Sequence, residues 1–128
     1  MLASSMGWIL IASGIPAAAA GLAALLFPRP VLLLVFGSTD GSAVTIFFTR
    51  HWGALLFVVC SLTVYAGLFP DSRGPILTAA AVEKFIIFLL IFFGKLTRTP
   101  AMTAIAVSDG VLAVVFALYL VGQSARPF

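Results

Sequence analysis

Four ionisable residues stand inside otherwise apolar stretches: Arg50 in "FFTRHWGALLF", Glu83 and Lys84 in "AAAVEKFIIF", and Asp109 in "AIAVSDGVLA". In hydrocarbon, each costs about 2.5–3.5 kcal/mol at a helix centre. Left unpaired, the four together would cost on the order of 10 kcal/mol, comparable to the whole stability of a domain. Two are cations and two are anions, so their charges cancel, and mutual pairing is expected. A guanidinium serves two carboxylates at once, which favours Arg50 held between Asp109 and Glu83. Lys84 lies about 100° round the helix from Glu83 and is expected at the edge of the set or snorkelling toward water. Such a network does one of three things: it locks helix register, receives a polar head group, or carries protons. His51, Ser61 and Tyr65 are the neighbouring polar groups that could line it. His51 also sits beside Trp52, a pairing more typical of an interfacial anchor.

Other chemistry has little to work with. One histidine, one cysteine and carboxylates spread over separate segments give no metal-ligand spacing. No nucleophile–base constellation and no phosphate loop is present, so no catalytic residue is assigned. Cys60 forms no intrachain disulfide and reads as a small core residue. The seven basic residues are scattered, unlike the basic stripe of a nucleic-acid surface or a polybasic lipid-binding segment. Trp8 and Trp52 read as interfacial or packing anchors, and Asp40 beside Gly41 as turn chemistry.

The elements that must position these charges follow from composition. With 62% hydrophobic and 9% charged residues, the 128-residue chain lacks the polar surface of a soluble domain, which carries about 25% charged residues. The length holds about four spans of roughly 20 residues. The expectation is a single all-α transmembrane domain: a polytopic, up-and-down bundle of four membrane-spanning helices over about 6–27, 44–69, 75–93 and 100–121. "IPAAAAG" in the first resembles a signal-peptide cleavage region, but "MLASSMG" before it has no Lys or Arg, so a retained span is expected. "PRP" at 28–30 ends that span, and "VLLLVFG", too short to cross, is expected at the interface between helices one and two. "PDSRGP" and "GKLTRTP" mark the later turns. Arg29, Lys95 and Arg98 on one side outnumber Arg73 and Arg126 on the other, which places both termini away from the cytoplasm, in a bacterial-type inner membrane.

Helical phasing gives each span an inward stripe. From Arg50 it runs through Gly53, Ala54, Phe57, Ser61 and Tyr65. From Glu83 it takes in Ala79, Ala80, Ile87 and Gly94, and from Asp109 it takes in Met102, Ala106, Ala113 and Phe116. The first span presents Gly14, Ala17, Ala18, Gly21 and Ala24 for close packing, with a kink expected at Pro16. "FIIFLLIFF" at 85–93 is bulky all round and is expected to face lipid or a protein partner.

The segments "LLFPRPVLLLVFG", "TRHWGALLFVVCSL" and "SDGVLAVVFALYLV", with an acidic residue in the third span, resemble the DoxX-like superfamily of small four-helix membrane proteins. The likeness covers most of the chain and implies the same fold. Members linked to thiol or quinone redox chemistry would imply a second cysteine or a quinone site, and this chain has Cys60 alone. The leading functional expectation is a non-enzymatic accessory or scaffolding subunit of a larger membrane complex, partnered by the bilayer and by other membrane subunits or copies of itself, with no cofactor. The alternatives are a binder or carrier of a lipid, quinone or other hydrophobic ligand, and a small dimeric proton-coupled transporter.

Overall fold

A computed structural model of the chain describes residues 2–124 and is all-α, with no strand among them. Four helices are long and apolar enough to cross a membrane: α1 (Leu2–Leu26), α3 (Ala43–Leu68), α4 (Arg73–Phe93) and α5 (Pro100–Ser124). The short α2 (Pro28–Val31) continues in π-helical form over Leu32–Phe36 and fills the interval between the first two spans. Gly37 closes this segment. Its left-handed φ of 64° lets the Gly37 and Ser38 amides turn back onto the carbonyls of Leu33 and Leu32, a conformation open to glycine at no steric cost. Arg126, counted for orientation above, lies outside the described residues.

The helix starts follow local chemistry. Ser42 caps α3 by accepting from the Thr45 amide at 3.3 Å. Asp40 braces that cap, accepting from the Ser42 amide at 2.9 Å and the Thr45 hydroxyl at 2.7 Å. Those donors, the Thr45 hydroxyl first, hold the Asp40 carboxyl below its ordinary value of 3.8. Thr99 caps α5 by accepting from the Met102 amide at 3.1 Å, with Pro100 preset for the first helical position. The same hydroxyl donates to the Val35 carbonyl, so one side chain both starts α5 and ties it to the segment after α2. Thr99→Ala is expected to lower stability by about 1–2 kcal/mol, the upper range for a lost cap, and Thr99→Ser to restore most of it. Thermal unfolding of the three proteins in one detergent checks this.

The deepest packing runs between antiparallel α1 and α3, along small residues spaced every seven positions. Added Cβ atoms show how close the backbones come. One at Gly7 would lie 3.1 Å from the Gly67 carbonyl oxygen, one at Gly14 3.0 Å from that of Cys60, and one at Gly21 2.7 Å from that of Gly53. Gly7, Gly14 and Gly21 thus meet Gly67, Cys60 and Gly53 in register. A seven-residue period is the spacing of left-handed helix winding, and small side chains are what allow such approach in a bilayer, where dispersion contacts replace the hydrophobic effect. Buried hydroxyls on α3 are satisfied within the helix, Thr49 by the Thr45 carbonyl and Thr63 by that of Val59.

α4 pairs mainly with α5. Near the chain termini all four spans converge on a core of Met6, Leu10, Ala66, Leu77, Ala80, Phe116 and Tyr119. In the other half α1 and α3 stay packed at Gly21 and Gly53, and a hollow opens between the helices. Bulky groups such as Trp8, Phe47, Phe85 and Phe93 are exposed around the outside, the outward face a bilayer accepts.

Candidate functional site

The hollow half encloses a cavity of about 640 Å³ bordered by all four spans and by α2. Ala12, Ser13, Pro16 and Ala20 of α1 form one wall, Val31 and Val35 the lid, and Trp52 and Leu56 of α3 another wall. Trp52 is steadied by an edge-on contact with Phe36, ring centroids 6.2 Å apart. Ala104, Ser108 and Leu112 of α5 face them, and the polar part is Glu83, Lys84 and Asp109. Exposed Pro16, Ala20, Leu34, Ala104 and Ser108 make the rim. The size and apolar lining, with a few convergent polar groups, are those of a small-molecule site.

Lys84 and Asp109 form the one ion pair among the described residues, Nζ to Oδ1 at 3.2 Å, their side chains 5% and 18% exposed. The cation therefore lies beneath and the carboxylate nearer the open space. Glu83 is half-buried at the cavity, and its Oε2 is fully buried with no hydrogen-bond partner. With Lys84 bonded to Asp109, Glu83 is left without an ionic partner in the cavity wall.

Arg50 does not join them. It is exposed and donates from Nε to the Leu25 carbonyl at 3.0 Å. That carbonyl belongs to the last turn of α1, where carbonyls lack intrahelical donors and the helix dipole is negative. The expectation of a central Arg50 fails because the phase was set one residue off. The buried face of α3 runs through Thr49, Gly53, Cys60, Thr63 and Ala66, and Arg50 is a step of about 100° from it. The same shift applies to α4, whose buried residues are Arg73, Leu77, Ala80 and Lys84. Lys84, expected at the edge, is at the centre, and Glu83 is at the side.

None of the three polar residues expected to line the site borders this cavity. His51 is exposed and stacked on Phe47 at 6.3 Å. Tyr65 is exposed and packs on Phe69 at 4.6 Å. Ser61 is half-buried on α3, away from the lining. On α5, Met102, Ala106, Ala113 and Phe116 are buried on the face that carries Asp109. No group of residues suited to hold a metal ion occurs among those described.

Sequence reading placed Arg73 in a solvated turn, whereas it is 7% exposed. Its Nε donates to the Ala66 carbonyl at 2.8 Å, one terminal nitrogen to Gly67 at 3.3 Å, and the other to the Tyr119 hydroxyl at 3.3 Å. Its guanidinium also lies 5.8 Å from the Tyr119 ring centroid, within cation–π range. Arg73 thus does for the end of α3 what Arg50 does for the end of α1. The available signal was an arginine five residues past the last turn of a span, where cations satisfy terminal carbonyls. Arg73→Met would keep the apolar stem and strand those carbonyls, at roughly 1–3 kcal/mol for an unsatisfied buried group. Arg73→Lys should fall between it and wild type in denaturant titrations.

No protein-family model matches the chain, and comparison with curated proteins and with solved structures finds no significant match.

Proposed function

We infer that the protein binds a small hydrophobic ligand within the membrane, apolar body in the cavity and polar head at the Glu83, Lys84 and Asp109 floor. The observation that carries this is the cavity itself: some 640 Å³ bordered by all four spans, with three of the four intramembrane charges gathered on its wall. A bundle whose charges served register alone would gain by closing this space, since dispersion contacts are what hold membrane helices together. The accessory-subunit reading draws on the bulky outer faces, and lipid alone satisfies those. The likeness to DoxX-like proteins supports the fold and leaves the ligand class open. Arg29, Lys95 and Arg98 lie at the cavity's end of the bundle, which turns that end toward the cytoplasm under the positive-inside rule.

Native mass spectrometry of protein released gently from its own membrane tests the reading, with Ala104→Trp at the rim beside wild type. A small-molecule adduct on wild type that the tryptophan variant loses, while remaining folded, is the expected result. Release as a stoichiometric part of a larger complex with no adduct would overturn it in favour of a subunit role.

A further inference from the structure

We propose that the ligand is a lipophilic amine, recognised as its protonated ammonium by Glu83 with Asp109 alongside. This rests on the ligand-binding reading above and adds the charge and hydrogen-bonding character of the head group.

Three observations carry it. First, the cavity meets the acidic side of the ion pair: Asp109 is 18% exposed against 5% for Lys84, so an incoming group meets carboxylate before ammonium. Second, Glu83 adds a further carboxyl to the same wall and has a buried oxygen with no donor. The terminal torsion of a glutamate is broad, so the carboxyl can turn toward a donor in the cavity. Third, the proline of the opposite wall leaves a backbone carbonyl without its usual intrahelical donor. Pro16 has no N–H to give the Ala12 carbonyl, and both residues border the cavity. The wall thus carries two carboxyl groups against one ammonium, and the group that balances it is a charged donor. An ammonium supplies up to three N–H groups and the missing positive charge, and the Trp52 ring in the wall suits a cation as well.

Depth separates a free amine from an aminophospholipid. Glu83 lies ten residues from each end of α4, about 15 Å at 1.5 Å per residue, near the bilayer centre. A phospholipid head group sits at the interface, half a hydrocarbon core away. The ligand is therefore a compact molecule that enters whole.

The experiment titrates octylamine, octanol and octanoate, one tail with three heads, into purified protein in phosphatidylcholine nanodiscs at pH 7. Fluorescence of Trp52 is followed in a Trp8→Phe background, Trp8 being exposed and away from the cavity. Octylamine is expected to bind saturably and at least tenfold more tightly than octanol, with octanoate weaker than both. Glu83→Gln should reduce the preference for octylamine over octanol to less than threefold. Octanol binding as tightly as octylamine to wild type would overturn the amine assignment while leaving the cavity a hydrophobic-ligand site. Saturable binding by none of the three would overturn both. The ranking is read without the Glu83 substitution, so a Glu83→Gln protein that fails to fold leaves the result decisive.

Discussion

Replacing Gly53 with leucine is expected to destabilise the bundle by roughly 3 kcal/mol or more, the upper end of overpacking costs. Even the first carbon is in conflict. A Cβ at Gly53 would lie 2.6 Å from the Gly21 carbonyl oxygen and from the Leu25 amide nitrogen, and 2.8 Å from the Ala24 Cβ. Two of these are backbone atoms of α1, which cannot turn aside as a side chain does. Relief requires α1 and α3 to separate, and that loosens the seam at Gly14 and Gly7 as well. Gly53→Ala should cost less than leucine in the same direction. Gly122→Ala should be neutral or stabilising, because beyond its chain neighbours and its own helix nothing lies within 4 Å of a Cβ there and alanine is the better helix former. Unfolding of the series in mixed micelles gives the comparison. A Gly53→Leu protein as stable as wild type would show that the two backbones are not in contact.

The second large effect concerns the buried pair. Asp109→Ala strands the Lys84 ammonium, 5% exposed, and removing one partner of a buried pair typically costs about 3–5 kcal/mol. Changing both, Lys84→Met with Asp109→Leu, removes the uncompensated charge and should recover most of that loss, since apolar replacements of similar volume are often neutral or stabilising. The same pair of variants separates structure from function. If the double variant folds but no longer retains the small-molecule adduct or octylamine, the pair serves the site. If it folds and binds as wild type does, the pair serves the bundle and Glu83 acts alone. Unfolding titrations and the binding assays above, run on the same preparations, read both effects.

Composition and hydropathy were enough to establish the fold class. Four apolar stretches of spanning length, bounded by "PRP", "PDSRGP" and "GKLTRTP", become four helices within a few residues of the expected bounds, because a bilayer leaves the backbone few other ways to satisfy its hydrogen bonds. The identity of the intramembrane charges was equally legible, since any Arg, Lys, Asp or Glu stands out in such a chain. The small residues of α1 were visible too, and Gly14, Gly21 and Ala24 are buried.

Only the tertiary structure decided which charges meet. Period 3.6 fixes the angle between residues but not the origin of the count, and most residues of these spans are apolar, which leaves the lipid-facing side unmarked. A one-residue error in phase moved Arg50 and Glu83 to the centre in place of Lys84. The two arginines were drawn to free carbonyls at helix ends, Arg50 to Leu25 and Arg73 to Ala66 and Gly67, partners that belong to the backbone and carry no signature in residue type. The cavity is likewise a property of how the helices diverge beyond the Phe116 and Leu77 core. Most of its apolar wall is alanine, valine, isoleucine and leucine, indistinguishable in sequence from residues that pack. Sequence thus determined what kind of protein this is and which charges it must accommodate, while helix phase, the capping of helix ends and the space left between spans belong to the packed bundle alone.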